Sequence, residues 1–180
     1  MRSDPEVEIW AMDGALFQLH GSTCHMWIPP EVKQPIAFMQ PNRKAVGYFG
    51  AVNIDTGRFI HCRPEGNFNA ETTWKFFQQI ESMPLNKGKV RVVILDNARY
   101  HHALLHQEWR AEVEDHLRFV FLPPYSPELN PCERVWKLTR RLCTHNRLYS
   151  DLDSLEEVIT KQYNQWNNDN DSLSKLCAMN

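Results

Sequence analysis

Residues 90–101 read VRVVILDNARYH. The first six are almost all β-branched or aliphatic, the composition of a strand covered on both faces of a sheet, so 90–95 is expected to be central and parallel to a neighbour. The strand stops at Asp96-Asn97, a turn pair. Downstream, His102–His116 reads as a helix carrying Leu104, Leu105 and Trp109, and Arg118–Leu122 (RFVFL) as a short strand ended by Pro123-Pro124. A strand-helix-strand unit of this kind places its two strands parallel. Upstream, VEIWAM (7–12) predicts a strand that stops at Asp13-Gly14, with a second extended stretch over Leu16–His20 completing a hairpin. Ala45–Ile54 and Arg58–Arg63 form another hairpin about Asp55-Thr56-Gly57. Between them, 21–44 is irregular, because Pro29, Pro30, Pro35 and Pro41 fix φ and remove donors.

Asn69 caps an expected helix with Trp74, Phe77 and Ile80, followed by Pro84. The last third is helical: one helix opens at Asn130-Pro131 and runs to about Cys143, and another carries Leu152, Leu155, Ile159, Tyr163 and Trp166. An antiparallel start, a βαβ middle and a helical end predict a single α/β domain over 1–180 with a mixed sheet. Ligands in such sheets gather at the carboxyl ends of the strands.

Composition narrows the function. With 180 residues, 20 Lys+Arg against 22 Asp+Glu and a net charge of −2, the chain is one domain without a strongly basic coat. Five scattered cysteines, none in a C-x-x-C pair, suit a reduced, cytoplasmic setting. No apolar run approaches the length of a membrane span.

Three acids fall at special points: Asp13 past the first strand, Asp96 past the central strand, and Glu133 in the first turn of a helix. Adjacent parallel strands would bring Asp13 and Asp96 to one edge, and the helix after Pro131 could lay Glu133 across it. Oxygen-only ligands suit Mg²⁺ or Mn²⁺. Each acid also has a plain explanation, as a turn residue for Asp13 and Asp96 or as the N3 partner of an Asn130 cap for Glu133.

The words around the acids decide between these readings. Segment 94–101, ILDNARYH, and segment 122–136, LPPYSPELNPCERVW, resemble signature blocks of the DDE transposases of the mariner-like superfamily, most closely its bacterial insertion-sequence branch. There the second catalytic Asp opens a D-N-A-x-x-H block and the third acid closes a Y-S-P-x-L-N-P-x-E block. Asp96 and Glu133 stand 37 positions apart, which fits that spacing. Asp13 in IWAMDG matches the first acid by order and strand position, although Gly14 follows it where many relatives carry an acid. The resemblance covers about residues 6–170.

It implies an RNase H-like mixed sheet flanked by helices. It also implies phosphodiester cleavage at transposon ends, with 3′-hydroxyl strand transfer into target DNA in the nucleoid. Asp13, Asp96 and Glu133 would hold two Mg²⁺ or Mn²⁺ ions, with Asp13 bridging both. His101 would orient a phosphate or the attacking group, with His102 as its rival and a water-facing helix start as the alternative for either; Asn97 meets DNA or holds the turn. A homodimer on DNA is implied. The amino-terminal helix-turn-helix module of complete transposases is expected to be absent, leaving a catalytic domain alone and a separate helix-turn-helix polypeptide as a candidate partner.

Residues 133–148 carry Arg134, Lys137, Arg140, Arg141 and Arg147 against one acid. The first four lie away from the apolar stripe of Val135, Leu138 and Leu142 and are expected to track phosphates, against a solvated helix face as the alternative. Trp136 is expected in the core. The stretch 18–44, with Trp27, Lys33, Arg43 and Lys44, is a candidate contact with DNA or a second subunit.

Four other readings compete. Asp55-Thr56-Gly57 matches the aspartic-protease triplet, but a single copy in a hairpin favours a turn. Cys24-His25, His61-Cys62 and His101-His102 lack zinc-site spacing. A transposase-derived domain recruited to bind DNA or a protein without cutting is the main rival, and a nuclease that never joins ends is another.

Overall fold

A computed structural model describes residues 6–25, 27–33 and 43–178. Its elements are β1 (Val7–Gln18), β2 (Ala45–Asn53), β3 (Phe59–Cys62), α1 (Ala70–Glu81), β4 (Val90–Leu95), α2 (Gln107–Glu112), β5 (Leu117–Phe121), α3 (Cys132–Thr139), α4 (Leu152–Gln165) and α5 (Asp171–Cys177). The five strands form one mixed sheet in the order β3-β2-β1-β4-β5. β1 pairs antiparallel with β2 and parallel with β4, and β5 extends the parallel half. This is the expected α/β sheet flanked by helices.

Period-two alternation along β1 sends its side chains to two cores. Ala11, Ala15 and Phe17 join Val135 and Trp136 of α3, Leu155, Ile159 and Tyr163 of α4, and Leu173 of α5. Trp10 and Met12 point the other way, to Phe76, Phe77 and Ile80 of α1.

Several expectations change. No hairpin forms at Asp13-Gly14: β1 runs on through Gln18, and Asp13 pairs with Gly50 in mid-strand. The reason is that burial of Ala15, Phe17 and Leu19 continues the alternation, so extending the strand buries more than turning it would. The central strand is β1, and β4 lies one place from the edge. β4 buries Arg91, Val93 and Leu95 but leaves Val90, Val92 and Ile94 half-buried, since α3, α4 and α5 pack mainly on β1–β3.

The helix expected over 102–116 is reduced to α2, preceded by two short 3₁₀ turns, Arg99–His102 and Leu104–His106. Leu104 and Leu105 are exposed and His101 and His106 are buried in their place. In α1 Asn69 caps the helix as expected, through a capping box with Thr72, but the buried stripe is Thr73, Phe76, Phe77 and Ile80, with Trp74 only half-buried. The helix after Asn130 turns π over Arg140–Thr144, which buries Cys143 and turns Leu142 outward. α5 was not expected; Asn170 caps it by accepting from Ser172 and Leu173 N–H. Gly57, at φ +69, closes the Asp55-Thr56-Gly57 turn and packs directly on the Asn170–Ser174 backbone, where a Cβ would collide. That triplet is therefore a turn docked on α5. Among the irregular residues Pro29 and Pro30 are described, whereas Pro35 and Pro41 lie outside the described residues.

Candidate active site

The parallel register of β1 and β4 ends at Ala11 opposite Ile94. Asp13 and Asp96 each stand two residues further on, Asp13 still within β1 and Asp96 just past β4, so both acids sit at the carboxyl end of the parallel ladder at equal offset. Asp13 alternates with Ala11 and Ala15 and thus faces α3. There the indole Nε1 of Trp136 donates to Asp13 Oδ2 at 2.9 Å. The ring reaches Asp13 because the residue paired opposite is Gly50, where a Cβ would run into Trp136 and Phe59.

Asn130 fixes the other end of the helix contact. Its Oδ1 accepts from Cys132 N–H at 3.1 Å and its Nδ2 donates to the Met12 carbonyl at 2.9 Å. Those two backbone groups belong to the residues immediately before Glu133 and Asp13. One buried carboxamide thereby ties the backbone at the third acid to the backbone at the first. Cys132 Sγ adds a contact to the Gly50 carbonyl at 3.5 Å.

Burial dominates the electrostatics of Asp13. Desolvation and the charges of Glu133 and Asp96 push its carboxyl up to about 7, against the opposing bonds from Gly14 N–H and Trp136. Asp96 moves the other way, held below the usual carboxylate range chiefly by its bond to His101. The His101 Nδ1 lies 3.0 Å from Asp96 Oδ1 and 3.2 Å from the Asp96 carbonyl. Its ring is fully buried, with Nε2 finding no hydrogen-bond partner among the described residues. His101 thus meets Asp96 and does not face solvent. Tyr100 is pushed up to about 12 by burial and by the charges of Asp96 and Asp13.

The rim is held by Asn97. Its Nδ2 donates to the Leu122 carbonyl at 3.1 Å and its Oδ1 meets His102 Nε2 at 2.6 Å. The exposed His102 ring also packs on Phe121. The expected basic face divides. Arg134 donates through one guanidinium nitrogen to the carbonyls of Leu176 and Ala178 and so closes the carboxyl end of α5. Arg140 lies over the Phe17 ring at 5.5 Å, while Lys137 and Arg141 are exposed. Nothing in the sequence pointed to the Trp136–Asp13 bond, to the Asn130 link to β1 or to the clearance at Gly50; Asn130 accepts from Cys132 N–H, but Pro131 is the helix cap and the expected pairing of Asn130 with Glu133 as a capping box does not form. Among the described residues, no three His, Cys, Asp or Glu side chains stand close enough to hold one ion together.

Residues 8–156 match the family described as DDE superfamily endonuclease. The chain belongs to this family. A crystal structure of a pre-cleavage Mos1 transpososome aligns over 94% of this chain and 51% of that one, with a TM-score of 0.67 and 14% identity. The catalytic domain of Mos1 mariner transposase aligns over 94% and 74%, with a TM-score of 0.61 and 11% identity. An uncharacterized protein of Sinorhizobium fredii, y4pE/y4sA, is 36% identical over 83 residues, 46% of this chain and 56% of that protein. The chain spans about half the length of the curated relative and of the transpososome protein. The likeness to the transposase gives this DDE endonuclease an RNase H-like fold. No helix among the described residues is long and apolar enough to cross a membrane.

Proposed function

We propose that this chain is the catalytic domain of a DNA transposase, cutting phosphodiester bonds at transposon ends and joining the 3′-hydroxyl to target DNA. The observation that carries the reading is the equal offset of Asp13 and Asp96 beyond the Ala11–Ile94 pair, with α3 tethered to β1 beside them by Trp136 and Asn130. Asp13, Asp96 and Glu133 are the ligands we assign to Mg²⁺ or Mn²⁺, as two ions. The donor set fits in kind, being oxygen-only, and the buried Asp13 carries two like-charged neighbours that a divalent cation would offset; the three carboxylates do not converge on one ion position in the metal-free arrangement. Bound there, the metal would activate the attacking oxygen and stabilise the leaving one.

The chain's own residues set the stage for that chemistry. Trp136 fixes Asp13, His101 fixes Asp96, and Asn130 fixes the approach of Glu133. Lys137, Arg140 and Arg141 are assigned to DNA phosphates. The partner is DNA, bound by a homodimer that holds two ends together, with a helix-turn-helix polypeptide supplying sequence recognition. One neighbour structure, a Mos1 mariner paired end complex with Mn, supports the divalent metal and the pairing of ends in this reading.

The test is calorimetric titration of Mn²⁺ into the wild type and Asp96→Asn, with supercoiled-plasmid nicking on the same preparations. We expect the variant to lose both while its thermal midpoint stays close to wild type, since Asn retains the shape and one acceptor oxygen. Undiminished nicking by Asp96→Asn would overturn the assignment.

A further inference from the structure

A groove of about 560 Å³ opens directly beside Asp96 and Asn97 and is walled by Pro123, Pro124, Tyr125 and Pro127. We propose that this groove receives an unpaired nucleobase from the DNA strand end next to the scissile phosphate, with the Tyr125 ring as its stacking platform. The inference rests on the DNA-cutting reading of the neighbouring acids and adds a substrate feature to it: the strand end is frayed.

Four observations carry it. First, Tyr125 is fully exposed, so its ring is spent on no core contact. Second, its backbone sits at φ +58, in the left-handed region that a bulky residue seldom adopts. Such strain persists where the surroundings enforce it, and it clusters at functional sites. Here three prolines fix the neighbouring φ angles, and Ser126 Oγ donates to the Pro124 carbonyl at 3.3 Å. The backbone that carries the ring is thereby held in place at the mouth of the groove.

Third, the wall is mostly apolar ring and methylene surface, with Asp96, Asn97, Ser126 and the Tyr125 hydroxyl supplying its polar side-chain atoms. No Lys or Arg lines it. A phosphate backbone would find no cation there and would face the Asp96 carboxylate, whereas a flat base with a polar edge matches both kinds of surface. Fourth, Asn97 ties the groove to the acid: its Nδ2 bond to the Leu122 carbonyl joins the loop to the residue beside Asp96. A base stacked on Tyr125 would therefore lie next to the phosphodiester that Asp96 serves. Base–aromatic stacking is tolerant of sequence, in keeping with a site that engages an end by its unpairing.

The experiment is a fluorescence titration, in Mg²⁺, of the full chain with two short duplexes that differ only in whether the strand end is blunt or carries two unpaired nucleotides, the terminal one 2-aminopurine. Wild type and Tyr125→Phe should bind the frayed end about five- to hundredfold tighter than the blunt one and change the 2-aminopurine emission. Tyr125→Ala, at a fully exposed position, should remove that preference and the spectral change together. Retention of the preference by Tyr125→Ala, its loss in Tyr125→Phe, or equal binding of the two duplexes by wild type would overturn the proposal. Plasmid nicking by the same wild-type preparation reads the DNA-cutting assignment separately. A Tyr125-dependent preference without nicking would remove the catalytic reading and keep the base site, and nicking without the preference would do the reverse.

Discussion

Replacing Asp13 by Asn should stabilise the metal-free protein at neutral and higher pH, by an amount that vanishes in acid. Asp13 is only 9% exposed, and its carboxyl is raised from 3.8 to about 7 by desolvation and by Glu133 and Asp96. A raised acid means that the native state holds the proton more tightly than the unfolded chain does. Its contribution to stability is therefore full below the unfolded value and is lost as pH rises through about 7. The gap of roughly three units corresponds to about 4 kcal/mol at 1.36 kcal/mol per unit. The Asn side chain carries no charge at any pH and can still accept from Trp136. The stability difference between variant and wild type should grow by about 1.4 kcal/mol per pH unit between pH 4 and 7 and then level off. For a chain of this size that is roughly 10 °C in thermal midpoint at pH 8 relative to pH 4. Urea unfolding of both proteins in EDTA across pH 4–8 measures it directly. Asp96 acts in the opposite sense in both proteins, and its titration differs between them only through its coupling to the Asp13 charge. A difference that stays constant across that range would refute the reasoning, because it would mean that no buried charge is being carried at position 13. Adding Mn²⁺ at pH 8 should reverse the order, since only the wild type gains the binding free energy of the metal.

Two further outcomes follow from the geometry. Asn130→Asp keeps the acceptor for Cys132 N–H but cannot donate to the Met12 carbonyl, whereas Asn130→Ala loses both; we expect each to lose nicking, with Asn130→Ala also destabilised by about 2 kcal/mol in urea unfolding, and wild-type nicking by Asn130→Asp would remove its positioning role. Arg140→Ala with Arg141→Ala should lower affinity for DNA of any sequence and reduce the slope of log affinity against log salt by about 2, and an unchanged slope would return that face to plain surface.

Much of this arrangement was legible because it is local. Val90–Leu95, the Asn69 cap, the Asn130-Pro131 helix start and the order of the three acids are each written in a few adjacent residues, and the structure keeps them. What failed was tertiary. Asp13-Gly14 has the look of a turn, yet Ala15, Phe17 and Leu19 have a core to fill, and burial of that alternating face outweighs local turn preference. Leu104 and Leu105 looked like a core stripe, but the buried places belong to His101 and His106, whose partners are the Asp96 side chain and the Tyr100 carbonyl. A polar side chain is recognised as interior only when its partner is known, and those partners are set by the folded loop. The Trp136 bond escaped for the same reason: it spans 123 positions and depends on a glycine in a third element.

The three acids are not held alike, and the difference bears on how the site works. Asp13 and Glu133 are joined through one block: Asn130 links the backbone beside each, Trp136 rises from the helix that bears Glu133 to hold Asp13, and Arg134 fastens that helix to α5. Their separation is therefore set by packing that the fold maintains without DNA. Asp96 belongs to a different unit. Its bonds run to His101 and Ala98 N–H, and through Asn97 its loop is tied to Leu122 at the entrance of the Tyr125 groove. Under the proposed reading, a strand end seated in the groove would lie against the loop that bears Asp96 rather than against the Asp13–Glu133 block.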